Sequence, residues 1–157
     1  MKAGFEARSV LVSSMGFQRS NPAALRSAAR REQEDAAPRL LSEVPALKSL
    51  ALTLEERRQS ANSATGSGMS DAGSHIRRIV VEHAPALFHI PCGNRACQDG
   101  GHDLTRAILH ALRDGQVAFE GDDACHGSTV AGQACELFLR YRAQATYEAS
   151  FDPSPAR

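Results

Sequence analysis

The clearest pattern in the chain is a two-residue alternation of apolar and polar side chains over residues 137–147. Leu, Tyr and Ala occupy the odd positions, whereas the even positions are polar apart from Phe138. Successive side chains point to opposite faces of a β-strand, so this period predicts a half-buried strand. A shorter alternation at Leu50, Leu52 and Leu54 predicts a second strand, although the EERR that follows it leaves a helical interpretation open.

Two helices are predicted from apolar spacing and from end signals. Asn21 followed by Pro22 is a favourable helix start, and Pro38 ends this alanine-rich segment, which we expect to be loosely attached. The second helix is predicted between Asp103, as its N-cap, and Gly115, as its C-terminal stop. Its apolar side chains recur at a period of 3.6 residues on or near one face: Leu104, Ile108, Leu109 and Leu112.

Between these elements the sequence predicts one long loop and further strands. Residues 59–74 are rich in Ser, Gly and Ala and are expected to form a flexible loop. Apolar runs at 79–81 and 87–90 predict two short strands, or one strand broken at Pro85, and residues 116–121 predict another. Strands before and after one central helix, with a loosely attached helix preceding them, indicate an α+β fold with a small antiparallel sheet.

All four cysteines lie between residues 92 and 135. Cys92 and Cys97 are separated by four residues that include Gly93 and Asn94, two residue types that tolerate positive φ and help a loop bend two thiolates onto one ion. This segment is a candidate zinc knuckle.

The second pair, Cys125 and Cys135, is separated by nine residues that include two glycines, and it lies between two predicted strands. We expect this segment to be the loop of a β-hairpin. Two sulfur ligands from each of two distant loops suit tetrahedral zinc, which would clamp the loops together. The sequence therefore predicts a Zn²⁺ site formed by Cys92, Cys97, Cys125 and Cys135.

The cysteines also allow readings without a metal. Disulfides need an oxidising compartment, and the first fourteen residues lack the apolar core of a secretory signal, so we expect a cytoplasmic protein with reduced thiols. Met15 could be an alternative start to Met1. Free cysteines could instead serve as small buried hydrophobic residues.

Two histidines near the cysteines leave the ligand set open. His102 lies five residues after Cys97, and His126 directly follows Cys125, so either could replace a cysteine ligand. A site of this mixed kind with an open position could be a zinc-dependent hydrolytic enzyme. The candidate general bases are Asp103, Glu120 and Asp123. The alternative is that His102 only precedes a helix cap and that His126 is a solvated loop residue.

The charge distribution argues against a polyanionic partner, and the lack of a long apolar run argues against a membrane-spanning segment. Residues 1–74 carry 10 Lys/Arg and 8 Asp/Glu, and residues 75–157 carry 8 and 10, so neither half is strongly basic. No apolar run approaches a membrane span. Four arginines on neighbouring predicted strands could contact phosphates, but Glu136 and Glu148 share their polar face, which favours an ordinary solvated surface. These arginines are Arg77, Arg78, Arg140 and Arg142.

A knuckle bearing Cys92 and Cys97, with Cys125 and Cys135 on a hairpin, resembles the two halves of a zinc ribbon. The resemblance is at the level of the class and covers a quarter to a third of the chain. Zinc ribbons contact nucleic acids or proteins, and five acidic residues around this site favour a protein partner. These residues are Asp99, Asp103, Glu120, Asp122 and Asp123.

The chain is long enough for one domain, but 5% aromatic residues and no tryptophan indicate a modest core. We expect an N-terminal extension at 1–45, partly helical or disordered, a zinc-stabilised α+β domain at 46–149, and a disordered tail at 150–157. The function expected is a structural-zinc interaction or regulatory module. A zinc hydrolase and a nucleic-acid-binding ribbon are the alternatives, and the oligomeric state is left open.

Overall fold

The computed structural model describes residues 21–58 and 70–149 of the chain. The helices are α1 (Pro22–Ala36), α2 (Leu40–Glu43) and α3 (Thr105–Arg113). Eight strands accompany them: β1 (Leu47–Arg58), β2 (Ser70–Ile79), β3 (His89–Pro91), β4 (Cys97–Gln98), β5 (Gly101–Asp103), β6 (Ala118–Ala124), β7 (Ser128–Thr129) and β8 (Leu137–Tyr147). The predicted α+β class is confirmed.

Four strands form one antiparallel sheet in the order β2-β1-β8-β6. One face of β1 and β8 is buried at alternate residues, and it shares a single core with α3. Leu52, Ile108, Leu112 and Leu139 are fully buried there. Both predicted alternations are therefore strands, and the helical interpretation of the β1 leucines is wrong because those side chains join a sheet core.

The helices begin and end close to the predicted residues. In α1 the Asn21 carboxamide oxygen accepts the Ala23 N–H at 3.0 Å, and none of the helix's side chains is buried. Asp103 is not the N-cap of α3, because the cap position falls on Leu104, but its carboxylate accepts the Thr105 N–H at 3.0 Å. Within residues 21–58 and 70–149, no helix has the length and apolar character that crossing a membrane requires.

The second strand is longer than its side chains predicted. Residues 70–74 of the expected loop belong to β2, where Ser70 pairs with Arg58 and Ser74 with Glu55. Backbone groups make these pairs, so the strand does not need the apolar side chains on which the prediction relied. Residues 59–69 lie outside the described part of the chain. Further along, β2 and β3 are separate strands on either side of Pro85, which agrees with the first of the two alternatives.

The segment before β1 enters the core. Leu40 and Val44 are buried in the same apolar cluster as α3 and β8. The Leu40 N–H donates to the Ala84 carbonyl at 2.9 Å, and the Ala86 N–H donates to the Pro38 carbonyl at 2.7 Å. Residues 38–44 thus belong to the folded unit, although the expected boundary places them in the extension.

Two truncations measure how much α1 and residues 38–44 each contribute to stability. Deleting residues 1–37 should change the free energy of unfolding by less than about 1 kcal/mol, because α1 buries no side chain. Deleting residues 1–44 should cost about 4 kcal/mol, since each of Leu40 and Val44 contributes about 1.5–3 kcal/mol by burial. Urea unfolding followed by circular dichroism measures both values.

The matched control for the truncations is a pair of point variants. Leu40→Ala should cost about 2–5 kcal/mol, whereas Leu25→Ala, at a position of α1 with 59% exposure, should stay within about 0.5 kcal/mol. Equal losses for the two variants would mean that α1 is a full part of the core.

Candidate metal centre

Short strands carry the four cysteines to one end of the main sheet. Cys92 directly follows β3, and Cys97 begins β4. Cys125 directly follows β6, and Cys135 lies two residues before β8. Antiparallel pairing of β4 with β7, through Cys97 opposite Thr129, joins the first cysteine loop to the second. The predicted hairpin between β6 and β8 is confirmed.

The four sulfur atoms, two from each loop, form one cluster. Every Sγ lies within 4.8 Å of every other, and the four cysteines are free. The Sγ–Sγ distance is 3.7 Å for Cys92 and Cys135 and 3.7 Å for Cys97 and Cys125. A tetrahedral ion with Zn–S bonds of about 2.3 Å requires sulfur separations of about 3.8 Å, so the cluster fits such an ion.

Asn94 organises the first cysteine loop. Its backbone N–H donates to Cys92 Sγ at 3.4 Å, and its carbonyl accepts the Cys97 N–H at 3.0 Å. The side-chain oxygen accepts the Ala96 N–H at 3.0 Å, while the side-chain amide nitrogen lies 3.7 Å from Cys135 Sγ. One side chain therefore shapes the first loop and reaches a sulfur of the second.

The bend of this loop has a different cause from the expected one. Gly93 and Asn94 have negative φ, and the positive φ of this region belongs to Asp99, at 53°. A Cβ on Gly93 would lie 2.1 Å from the carboxylate at the end of the flexible Glu56 side chain and would displace it. That carboxylate accepts the Gly93 N–H at 2.8 Å and so anchors the loop to β1.

The second loop reaches the sulfurs through Gly127. Its N–H donates to Cys125 Sγ at 3.5 Å, and its carbonyl accepts the Cys135 N–H at 2.9 Å. A Cβ on Gly127 would stand 2.5 Å from Cys97 Sγ and 2.5 Å from the Gly100 Cα, which are closer than real Cβ contacts. The two loops can approach as they do only because both positions lack a side chain.

The thiol pKa values reflect the crowding of the cluster. Burial raises the pKa of Cys97 to about 11, with the neighbouring Cys125 and Cys135 sulfurs adding to the shift. Burial also raises the pKa of Cys92. The pKa of Cys135 moves the other way, since the Leu137 backbone and the Asn94 amide outweigh the opposing effect of burial. Four thiolates at this spacing need a cation to offset their repulsion.

Neither candidate histidine belongs to the cluster. His102 is fully buried, its Nδ1 lies 3.1 Å from Asp123 Oδ2, and its Nε2 has no hydrogen-bond partner among residues 21–58 and 70–149. This pair links β5 to β6, and the sequence around a three-residue strand has no period that could predict the burial. His126 is exposed. Among the described residues, the group of side chains placed to hold a metal consists of the four cysteines.

Two of the acidic residues singled out from the sequence are paired with two of the arginines, and a third is paired with a histidine. Asp123 contacts His102, and Glu120 accepts from Arg142 at 3.3 Å. Arg140 donates to Asp122 at 2.9 Å, which lowers the pKa of that carboxyl. Arg140 and Arg142 are therefore part of a solvated, charge-balanced face, as the sequence favoured.

Comparison with known proteins does not assign the chain to a family. No protein-family model, curated protein or solved structure matches the chain. The resemblance to a zinc ribbon thus rests on the cysteine cluster and its hairpin alone.

Gly127 provides a test of the loop packing. Gly127→Ala should destabilise the protein by about 2 kcal/mol, because the added methyl group overlaps the Cys97 sulfur and the Gly100 backbone. Ser128→Ala, at the adjacent exposed position, should stay within about 0.5 kcal/mol. Thermal unfolding of both variants measures the difference, and a Gly127→Ala protein as stable as the control would refute this packing.

Proposed function

We propose that the chain is a zinc-stabilised protein-interaction module in which Cys92, Cys97, Cys125 and Cys135 hold one Zn²⁺ as structural ligands. The observation that carries the proposal is the spacing of the sulfurs. Two cross-loop distances of 3.7 Å, with all sulfurs within 4.8 Å, are those of a tetrahedral four-thiolate shell.

The surroundings of the sulfurs support the same assignment. Backbone N–H groups of Asn94 and Gly127 donate to two sulfurs, and the Asn94 amide approaches a third. Donors of this kind offset the negative charge that four thiolates bring to a divalent ion and fix the orientation of the ligands. Cys125 and Cys135 are also buried, which suits a structural ion better than one that exchanges substrate.

The same contacts weigh against the hydrolytic alternative. A shell closed by four thiolates has no position for a reactive water. A histidine ligand would have to come from His102, which is bound to Asp123, or from His126, which is exposed. Of the candidate bases, Asp103 is hydrogen-bonded to the Thr105 side chain and accepts the Thr105 backbone N–H, which together lower its carboxyl pKa, and Glu120 is paired with Arg142. The structural role is therefore the better supported.

The zinc content of variants distinguishes the four-cysteine ligand set from a mixed set of cysteines and a histidine. The full-length protein should carry one zinc per chain, and Cys135→Ser should lose it, because one of four thiolate ligands is gone. The loss of a structural metal should cost several kcal/mol, on the order of 3–5 kcal/mol, in unfolding free energy. Metal analysis after gel filtration and urea unfolding measure the two effects.

His102→Ala and His126→Ala serve as controls. Both should keep one zinc per folded chain, although His102→Ala loses stability because it removes a fully buried side chain. Cobalt substitution gives a separate readout, since the sulfur-to-cobalt absorption counts the thiolates bound. Loss of metal from His102→Ala together with its retention in Cys135→Ser would replace the four-cysteine site with a mixed one.

Asn94 should tune the affinity of the site. Asn94→Ala removes the amide contact to Cys135 and the hydrogen bond to Ala96, so zinc affinity should fall about 10–100-fold, as for other residues that support metal ligands. Competition with a coloured chelator measures the change. Arg95→Ala, at the next and exposed position, is the control and should match the parent. Equal affinities for both variants would remove Asn94 from the site.

A further inference from the structure

The outer edge of β2 has no strand partner among the described residues. In the four-stranded sheet, β2 pairs only with β1, and it runs from Ser70 to Ile79. Alternate N–H and C=O groups of such an edge point outward and can hydrogen-bond another strand. Ile76, 69% exposed, and Val80, 64% exposed, leave apolar surface beside this edge. The edge thus offers both backbone pairing and an apolar contact.

The side chains along this edge are basic. Arg77 and Arg78 lie next to each other on β2, both are exposed, and neither side chain makes a hydrogen bond or ion pair within the described residues. They differ in this from Arg140 and Arg142 on the same sheet, which are paired with Asp122 and Glu120. No acidic side chain lies between His75 and Val80.

A cavity of about 280 Å³ opens beside the end of this strand. Arg77 and Arg78 line it together with His83 and His89, and Phe88 provides an apolar wall. The one acidic residue in the lining is Glu34 of α1, a helix that buries none of its side chains. The two arginines in this lining, which carry positive charge at neutral pH, make the cavity suited to carboxylate groups.

We propose that the edge of β2 and this cavity bind an extended acidic segment of a partner protein, which adds as a strand beside β2. The segment's backbone pairs with the free edge. Because Arg77 and Arg78 are consecutive in β2 and point to opposite faces of the sheet, carboxylates on both faces of the added strand meet them, and one acidic side chain enters the cavity. This inference deepens the interaction role proposed above and does not depend on the bound metal.

Charge favours an acidic partner segment over the two other candidates for this edge, which are a second copy of the chain and the chain's own terminal residues. Antiparallel pairing of two β2 edges would bring Arg77 and Arg78 close to the same arginines of the other copy, which is unfavourable. Residues 1–20 contain three Lys/Arg and one Asp/Glu, and residues 150–157 contain one of each, so neither end is acidic. The carboxylates of β6, at the opposite edge of the sheet, are already paired with Arg140 and Arg142.

A nucleic acid fits the surface less well than a peptide. Phosphodiester backbones lack the N–H groups that alternate with carbonyls along a strand and so cannot continue the ladder. Glu55 lies on the adjacent strand β1, and Glu120 and Asp122 lie on β6 at the opposite edge of the same sheet. A duplex lying across the whole sheet would meet these carboxylates.

Binding can be measured with a defined probe on the zinc-loaded, full-length protein. The probe is a fluorescent peptide with blocked ends in which pairs of adjacent glutamates are separated by valines, so that both faces of the added strand carry carboxylates, and its lysine counterpart is the charge control. The glutamate peptide should bind, and the doubly substituted Arg77→Glu/Arg78→Glu protein should bind it at least about tenfold more weakly, whereas the lysine peptide should not bind the parent. Fluorescence anisotropy gives the dissociation constants.

Three controls address specificity. Lys48→Glu/Arg106→Glu makes the same change in net charge at exposed positions away from the cavity and should bind as the parent does. Glu34→Gln should tighten binding, because it removes the one carboxylate from the lining. A glutamate peptide methylated on every backbone nitrogen should lose binding, since it cannot donate to the strand edge. Amide resonances of β2 should shift with the parent peptide.

Several results would overturn the proposal. Equal binding of the methylated peptide would reduce the contact to simple charge attraction. Tighter binding of a short DNA duplex, falling steeply with salt, would make this a nucleic-acid surface. Self-association that is abolished by Arg77→Glu/Arg78→Glu would make a second copy the occupant. Failure of the glutamate peptide to bind, while zinc content stays at one per chain, would reject this surface and leave the proposed metal site intact.

Discussion

The structure depends on the antiparallel register between β1 and β8. It places Leu52 opposite Ala143 in the core and Arg58 opposite Leu137 at the end of the sheet that holds the cysteines. A shift by one residue would turn the buried leucines to solvent and carry Cys135 away from the other sulfurs. Hydrophobic pattern and metal geometry therefore select the same register, and each supports the other.

Much of this fold follows from local pattern, and the remainder depends on pairing between distant residues. The alternation over residues 137–147 and the spacing of Ile108 and Leu112 identify β8 and α3 because one buried face determines each period. The first part of β2 was missed, since its Ser-rich sequence gains order from the backbone of β1. The burial of His102 likewise results from the pairing of β5 with β3, and the residues next to it in the sequence do not predict this burial.

The sequence predicts which four cysteines form the candidate site, but it does not predict how their sulfur atoms are arranged. Four cysteines confined to two loops identify the group, and the structure brings all of them together. Spacing along the chain suggested two pairs, one in each loop, whereas the structure brings all four sulfurs into one cluster in which Cys92 and Cys135 of different loops lie 3.7 Å apart, as do Cys97 and Cys125. Asn94 and Gly127 owe their importance to contacts across the loops, which local sequence cannot reveal.

The contribution of two distant loops to one sulfur cluster also affects the order in which the protein assembles. The complete cluster cannot form until Cys135 has been synthesised, 43 residues after Cys92. Closing such a long loop carries an entropic cost that contacts between distant strands offset only late in folding. Assembly of the four-cysteine cluster is therefore a late event, which follows synthesis of the segment that leads into β8.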